Sequence, residues 1–121
     1  MAVRHISAIT LAVRDMSRAV DFYQAALGLN PSYGGADATF TSFRIGTGYL
    51  NLMLADQGSW SWWGRAIFHV DDVDEIYLRM VNAGLEPESA PEDAPWGERF
   101  FHITDPEGHQ LSFAKRLDNP A

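Results

Sequence analysis

Chemistry in this chain has to come from histidine, acid, arginine and tryptophan side chains, because its 121 residues include no cysteine. A disulfide framework, a thiolate metal site and a cysteine nucleophile are therefore all excluded. The four histidines are His5, His69, His102 and His109. No G-x-S-x-G elbow is present, and spacing alone shows no other nucleophile and base pair. The acidic run Asp71, Asp72, Asp74 and Glu75 could suggest calcium, but it sits where a helix begins. Unsatisfied N–H groups and the dipole of a helix start attract acids without any ligand. Gly34-Gly35 and Gly46/Gly48 match no phosphate-loop spacing and read as turns.

Tryptophan is the stronger signal. Three of the four fall within Trp60-Ser61-Trp62-Trp63, and the fourth, Trp96, stands in Trp96-Gly97-Glu98-Arg99. Such a cluster reads either as an aromatic wall for a flat ligand or as packing between modules or subunits.

The elements that must position these residues come as one plan used twice. Ile9, Leu11 and Val13 alternate as in a half-buried strand over Ile6 to Val13. Met16, Ala19, Val20, Tyr23, Ala26 and Leu27 then recur at helical spacing, with Asp15 or Ser17 as cap and Gly28 as stop. Thr39 to Ile45 and Tyr49 to Leu54 form a hairpin through Gly46-Thr47-Gly48. In the second half Ala66, Phe68 and Val70 alternate, and Asp72 with Glu75 makes a capping-box-like start. Val73, Ile76, Tyr77, Met80 and Val81 form the stripe and Gly84 closes the helix. Short β segments are expected around Leu85 and from Arg99 to Thr104, with Pro87 to Pro95 as a loop. Asp105-Pro106-Glu107-Gly108 turns into a last strand from His109 to Lys115. The fold class is α+β, two βαβββ modules at about 4–56 and 64–116, with Gln57 to Gly64 as junction. One such unit is too small to bury its sheet alone, so a single domain of two packed modules is expected.

A hydrophobic fraction of 46% and a charged fraction of 21% are those of a globular protein. The net charge of -7 argues against the basic surface that nucleic acid needs, so no nucleic-acid partner is expected. No segment is apolar for long enough to span a bilayer or to act as a signal peptide, which places the chain in the cytoplasm without a membrane partner.

Asp15-Met16, Asp21-Phe22-Tyr23 and Leu27-Gly28-Leu29 resemble the first-module signature of glyoxalase-type (vicinal oxygen chelate) proteins. Trp96-Gly97-Glu98-Arg99-Phe100 followed by Asp105-Pro106-Glu107-Gly108-His109 resembles the second-module signature, especially in the bleomycin-resistance branch. The resemblance runs from about His5 to about Lys115. It implies that both modules share one curved ligand cavity, and that enzymes of the family hold a divalent metal on four side chains. Those four positions fall here on Ala8, Asn51, Arg65 and Ser112. Alanine has no donor atom, arginine is cationic, and the other two are weak neutral ligands, so no metal and no cofactor are expected.

Strand parity turns Arg65, Ile67 and His69 toward the cavity, together with Ala8, Thr10, Ala12, Tyr49, Asn51, Met53, Gln110 and Ser112. His69 is the one imidazole in that set, while His5, His102 and His109 fall on the opposite parity or in a turn. Trp60, Trp62, Trp63, Trp96 and Arg99 complete the expected ligand-binding residues. Arg65 needs a counter-charge, from a ligand carboxylate or phosphate or from Glu98. The leading reading is a metal-free binder of an aromatic or amphipathic small molecule, of bleomycin-resistance type and homodimeric. The alternative is a glyoxalase-like lyase or isomerase working without the usual metal, with Arg65, His69, Tyr49 or Arg99 as acid–base or anion-stabilising groups.

Overall fold

In the first half of the chain a strand leads into a helix that Asp15 starts and Gly28 stops. The Asp15 carboxylate accepts from Arg18 N–H at 3.0 Å, and Gly28 adopts the left-handed conformation at φ 68°. Gly28 N–H then bonds the Gln24 carbonyl at 2.9 Å, so the last turn is closed by the one residue type that enters this region freely. Ser17 lies inside the helix instead of capping it. The computed structural model describes residues 2, 4–55, 61 and 63–117. By internal contacts it divides into two compact units, Met1–Ser59 and Trp60–Ala121.

Unit 1 contains β1 (Ala8–Val13), α1 (Met16–Leu27), β2 (Phe40–Ile45) and β3 (Gly48–Leu54). Its mixed sheet has the order β1-β3-β2, with β1 parallel and β2 antiparallel to β3. Tyr33 forms an isolated antiparallel bridge to Ser42, standing where a fourth strand would lie. Leu11, Val13, Phe43, Leu50 and Leu52 turn one face toward Met16, Val20 and Tyr23 of α1, and all are buried. The helix stripe also buries Phe22, which helical spacing had not marked, and leaves Leu27 half-buried.

Unit 2 repeats the plan with β4 (Arg65–His69), α2 (Val73–Asn82), β5 (Glu92–Ala94), β6 (Glu98–Thr104) and β7 (Gln110–Arg116). The sheet order is β4-β7-β6-β5, and β4 is parallel to β7. Asp72 caps α2 by accepting from Glu75 N–H at 3.1 Å. Ala66, Phe101, Ile103, Leu111 and Phe113 form the buried sheet face, with Tyr77 of α2 set edge-on against Phe101 at 5.5 Å.

The second short strand is not where the sequence puts it. Leu85 ends the helix by donating to the Met80 carbonyl at 2.9 Å, and the strand falls at Glu92–Ala94, inside the expected Pro87 to Pro95 loop. Glu, Asp and Ala have little strand preference, so pairing with β6 decides the matter. Proline at both flanks, Pro91 and Pro95, confines the segment to three residues at the sheet edge. No helix of the described residues is long and apolar enough to cross a membrane.

Asp105 sets the register of β7. Its buried carboxylate accepts from the backbone N–H of Glu107 and of His109, both at 2.8 Å, which closes the turn that delivers Gln110 and Ser112. Asp105→Ala should lower unfolding free energy by about 2 kcal/mol, because a charged acceptor for two amides is lost. A urea unfolding midpoint unchanged from the parent would contradict this.

Candidate functional site

The two faces of the unit 2 sheet have opposite characters, because β-strand side chains alternate. Odd-numbered residues of β6 and β7 meet α2. Even-numbered ones turn away from it and line up across the ladder with the odd residues of β4. Arg65 stands opposite Gln110, Ile67 opposite Ser112, His69 opposite Ala114, and His102 opposite Ser112 on the other side. This second face therefore carries Arg65, Gln110, Ser112, His102, Phe100 and Glu98.

Its centre is a chain of hydrogen bonds. Arg65 Nη2 donates to Gln110 Oε1 at 3.0 Å. Arg65 Nη1 donates to Ser112 Oγ at 3.3 Å and to the Leu111 carbonyl at 3.4 Å. Ser112 Oγ lies 2.6 Å from His102 Nδ1. Every partner of the guanidinium is neutral, and among the described residues Arg65 makes no ion pair. Burial first, and the Arg65 charge second, push the His102 pKa below the ordinary histidine value, while Glu88 and Glu92 pull it the other way. Along β6 an aromatic row adjoins this centre. Phe100 packs on His102 with centroids 4.9 Å apart, and Trp96 stacks on Phe100 at 5.8 Å and 27°.

Several expected residues fall elsewhere. Arg99 is on the α2 face, not beside Arg65, where Asp74 and Asp93 each hold it at 2.9 Å. Those bonds raise the arginine pKa and lower that of Asp74. The reason is parity: Arg99 shares the face of Phe101. Arg99 and Asp74 also line a charged cleft of about 310 Å³ with Asp71, Lys115 and Arg116. Glu98 does share the face of Arg65 but is engaged at its far end, accepting from Trp96 Nε1 at 3.1 Å. It is not the internal counter-charge that the sequence offered. Trp63 is fixed by its indole N–H, which donates to His109 Nδ1 at 2.8 Å. Trp60 and Trp62 lie outside the described residues.

His102 was the residue that sequence reasoning placed on the wrong face. Phe100-Phe101-His102-Ile103 is apolar on both parities, so alternation gave no guide. The signal was the Asp105 turn, which fixes Thr104 opposite Gln110 and thereby His102 opposite Ser112. His69 and Ile67 are on the expected face and exposed.

In unit 1, Ala8, Thr10, Tyr49, Asn51 and Met53 share the face turned from α1. Ser42 Oγ donates to Asn51 Oδ1 at 2.7 Å, and Asn51 Nδ2 donates to Thr10 Oγ1 at 3.2 Å. Asn51 is thus committed at both ends of its amide. Of the four positions that hold the metal in the related enzymes, Ala8 has no donor, Asn51 is so engaged, and Arg65 donates to Ser112. Among the described residues no three His, Asp or Glu side chains are grouped to hold a metal ion. These residues do not fit a divalent cation.

Comparison with known proteins agrees with this architecture. The family model described as the glyoxalase/bleomycin resistance protein/dioxygenase superfamily matches residues 5–113. The chain belongs to that superfamily. It is 28% identical to an uncharacterized protein, YraH, of Bacillus subtilis, over 90% of this chain and 96% of the relative. Among solved structures it is similar to a glyoxalase/bleomycin resistance protein/dioxygenase from Nocardioides, with TM-score 0.79 and 22% identity over 98% of this chain and 87% of that one. It is also similar to a lactoylglutathione lyase from Agrobacterium tumefaciens, with TM-score 0.77 and 23% identity over 94% and 95% of the two chains. At these identities the structures share the fold.

His102 has a lowered pKa in the folded state, so the unfolded chain binds the proton more readily. Its contribution to stability is complete above the ordinary histidine range and is lost as pH falls through the folded value. Stability should decline as pH falls below the ordinary histidine range, and His102→Phe should flatten that slope. An unchanged slope in the variant would contradict the assignment.

Proposed function

We propose that this protein is a metal-free small-molecule binder, and that its ligand is an aromatic compound carrying an anionic group. The observation that carries the reading is Arg65, a half-buried guanidinium with neutral partners only among the described residues, on the same sheet face as the Trp96–Phe100 stack. A partly desolvated cation without a carboxylate favours an anion supplied from outside. The aromatic row next to it offers a flat apolar surface of the kind a ring stacks on. Bleomycin-resistance proteins of the superfamily supply the precedent in name. The lyase reading suggested by the Agrobacterium neighbour is less well supported, because the donor set here lacks both imidazole and carboxylate at the metal positions.

Ligand binding should quench tryptophan fluorescence, and Arg65→Ala should weaken an aromatic carboxylate by about 2 kcal/mol while sparing its neutral amide. Equal loss for acid and amide would make Arg65 a structural brace and overturn the reading. Elemental analysis of the purified protein should find nickel, zinc, iron and manganese far below one per chain. A stoichiometric metal that resists dialysis would overturn the metal-free assignment. We also expect a homodimer, since Ile67, Tyr49 and Met53 leave apolar area exposed on the sheet faces turned from the helices. Light scattering should give twice the chain mass, and a monomer at micromolar concentration would contradict it.

A further inference from the structure

Ser112 settles which nitrogen of His102 carries the proton. The hydroxyl is buried, at 3% exposure, and has two partners among the described residues, Arg65 and His102. A guanidinium can only donate, so the Arg65 bond uses a lone pair of Ser112 Oγ. The hydroxyl hydrogen must then go to His102 Nδ1, since otherwise a buried donor would be left unsatisfied. His102 Nδ1 is an acceptor, and the ring is the neutral Nε2–H form. The burial and the nearby positive charge that lower its pKa favour the same neutral state. Among the described residues nothing accepts from Nε2–H.

The donors of Arg65 can be counted in the same way. A guanidinium has five N–H groups. Among the described residues Gln110, Ser112 and the Leu111 carbonyl take three of them, leaving Nε–H and one Nη2–H. Two free N–H groups suffice to grip one carboxylate. The order across the face is therefore free guanidinium donors, then the His102 N–H, then the Phe100 and Trp96 rings.

We propose that His102 is the second recognition residue of this site, a fixed Nε2–H donor that selects aryl acids with a carbonyl between ring and carboxylate. The inference rests on the reading of Arg65 as the anion-binding residue and adds what the ligand carries between its two ends. With the carboxylate on Arg65 and the ring on Phe100 and Trp96, the linking atoms pass His102. A carbonyl oxygen there accepts the Nε2 proton, whereas a methylene leaves that N–H desolvated and unpaired.

The test compares 3-benzoylpropionate with 4-phenylbutyrate, which have the same three carbon atoms between ring and carboxylate and differ in the carbonyl alone. Titration of the full chain should show 3-benzoylpropionate favoured by about fivefold, the value of one neutral hydrogen bond. His102→Phe should bring the ratio to near one, and His102→Gln, which keeps an N–H donor, should restore part of it. Nitrogen NMR of the imidazole in the unliganded protein gives an independent reading, with Nε2 protonated and Nδ1 bare. In Ser112→Ala that tautomer preference should weaken. A protonated Nδ1 in the parent, or a ratio near one while both acids still bind through Arg65, overturns this inference and leaves the Arg65 reading standing. Failure of both acids to bind overturns the two together.

Discussion

A guanidinium donating to a buried serine, with no ion pair among the described residues, organises the candidate face of unit 2. The Arg65–Ser112 contact exists because β4 runs parallel to β7, which sets Arg65 beside Gln110 and one step from Ser112. It takes one lone pair of the hydroxyl, and among the described residues the hydroxyl proton then has His102 Nδ1 as its acceptor. Among the described residues the charge of Arg65 has no compensating ion. The proposed recognition of an anion and the proposed tautomer of the histidine both rest on this one placement.

The same contact explains how the fold of a metal-binding superfamily can support different chemistry. A positive charge on a side chain now occupies one of the positions that hold the metal in related enzymes, and Ser112 and Asn51 are tied into hydrogen bonds. Both a divalent ion and a guanidinium attract oxyanions, but the guanidinium holds them by directed N–H bonds and lowers no water pKa. The proposed binding requires no Lewis-acid chemistry. Of the neighbouring charged groups, Arg99 is neutralised by Asp74 and Asp93 on the α2 face, Glu98 is occupied with Trp96, and Glu88 and Glu92 oppose Arg65 in their effect on His102.

Much of the architecture was legible in the sequence because the physical signals were local. Asp15, Gly28 and Asp72 marked helix ends through capping chemistry, and Ile9, Leu11 and Val13 or Ala66 and Phe68 marked strands through alternation. The parity that put Arg65, Gln110 and Ser112 on one face was also local. Signals failed where pairing partners decide. Glu92–Ala94 is a strand only because β6 lies beside it, and His102 could be assigned a face only through the register that the Asp105 turn imposes. Arg99 was misplaced for the same reason. Whether Glu98 or a ligand neutralises Arg65 depended on side-chain reach along β6, which spacing does not contain.

The account stands most directly on where a bound aromatic acid lies. A crystal structure of the protein with 2-naphthoate is predicted to show the carboxylate on Arg65 and the ring system over Phe100 and Trp96, with no metal between carboxylate and protein. A naphthoate bound away from Arg65, or one whose carboxylate reaches the protein through a metal ion, would contradict it.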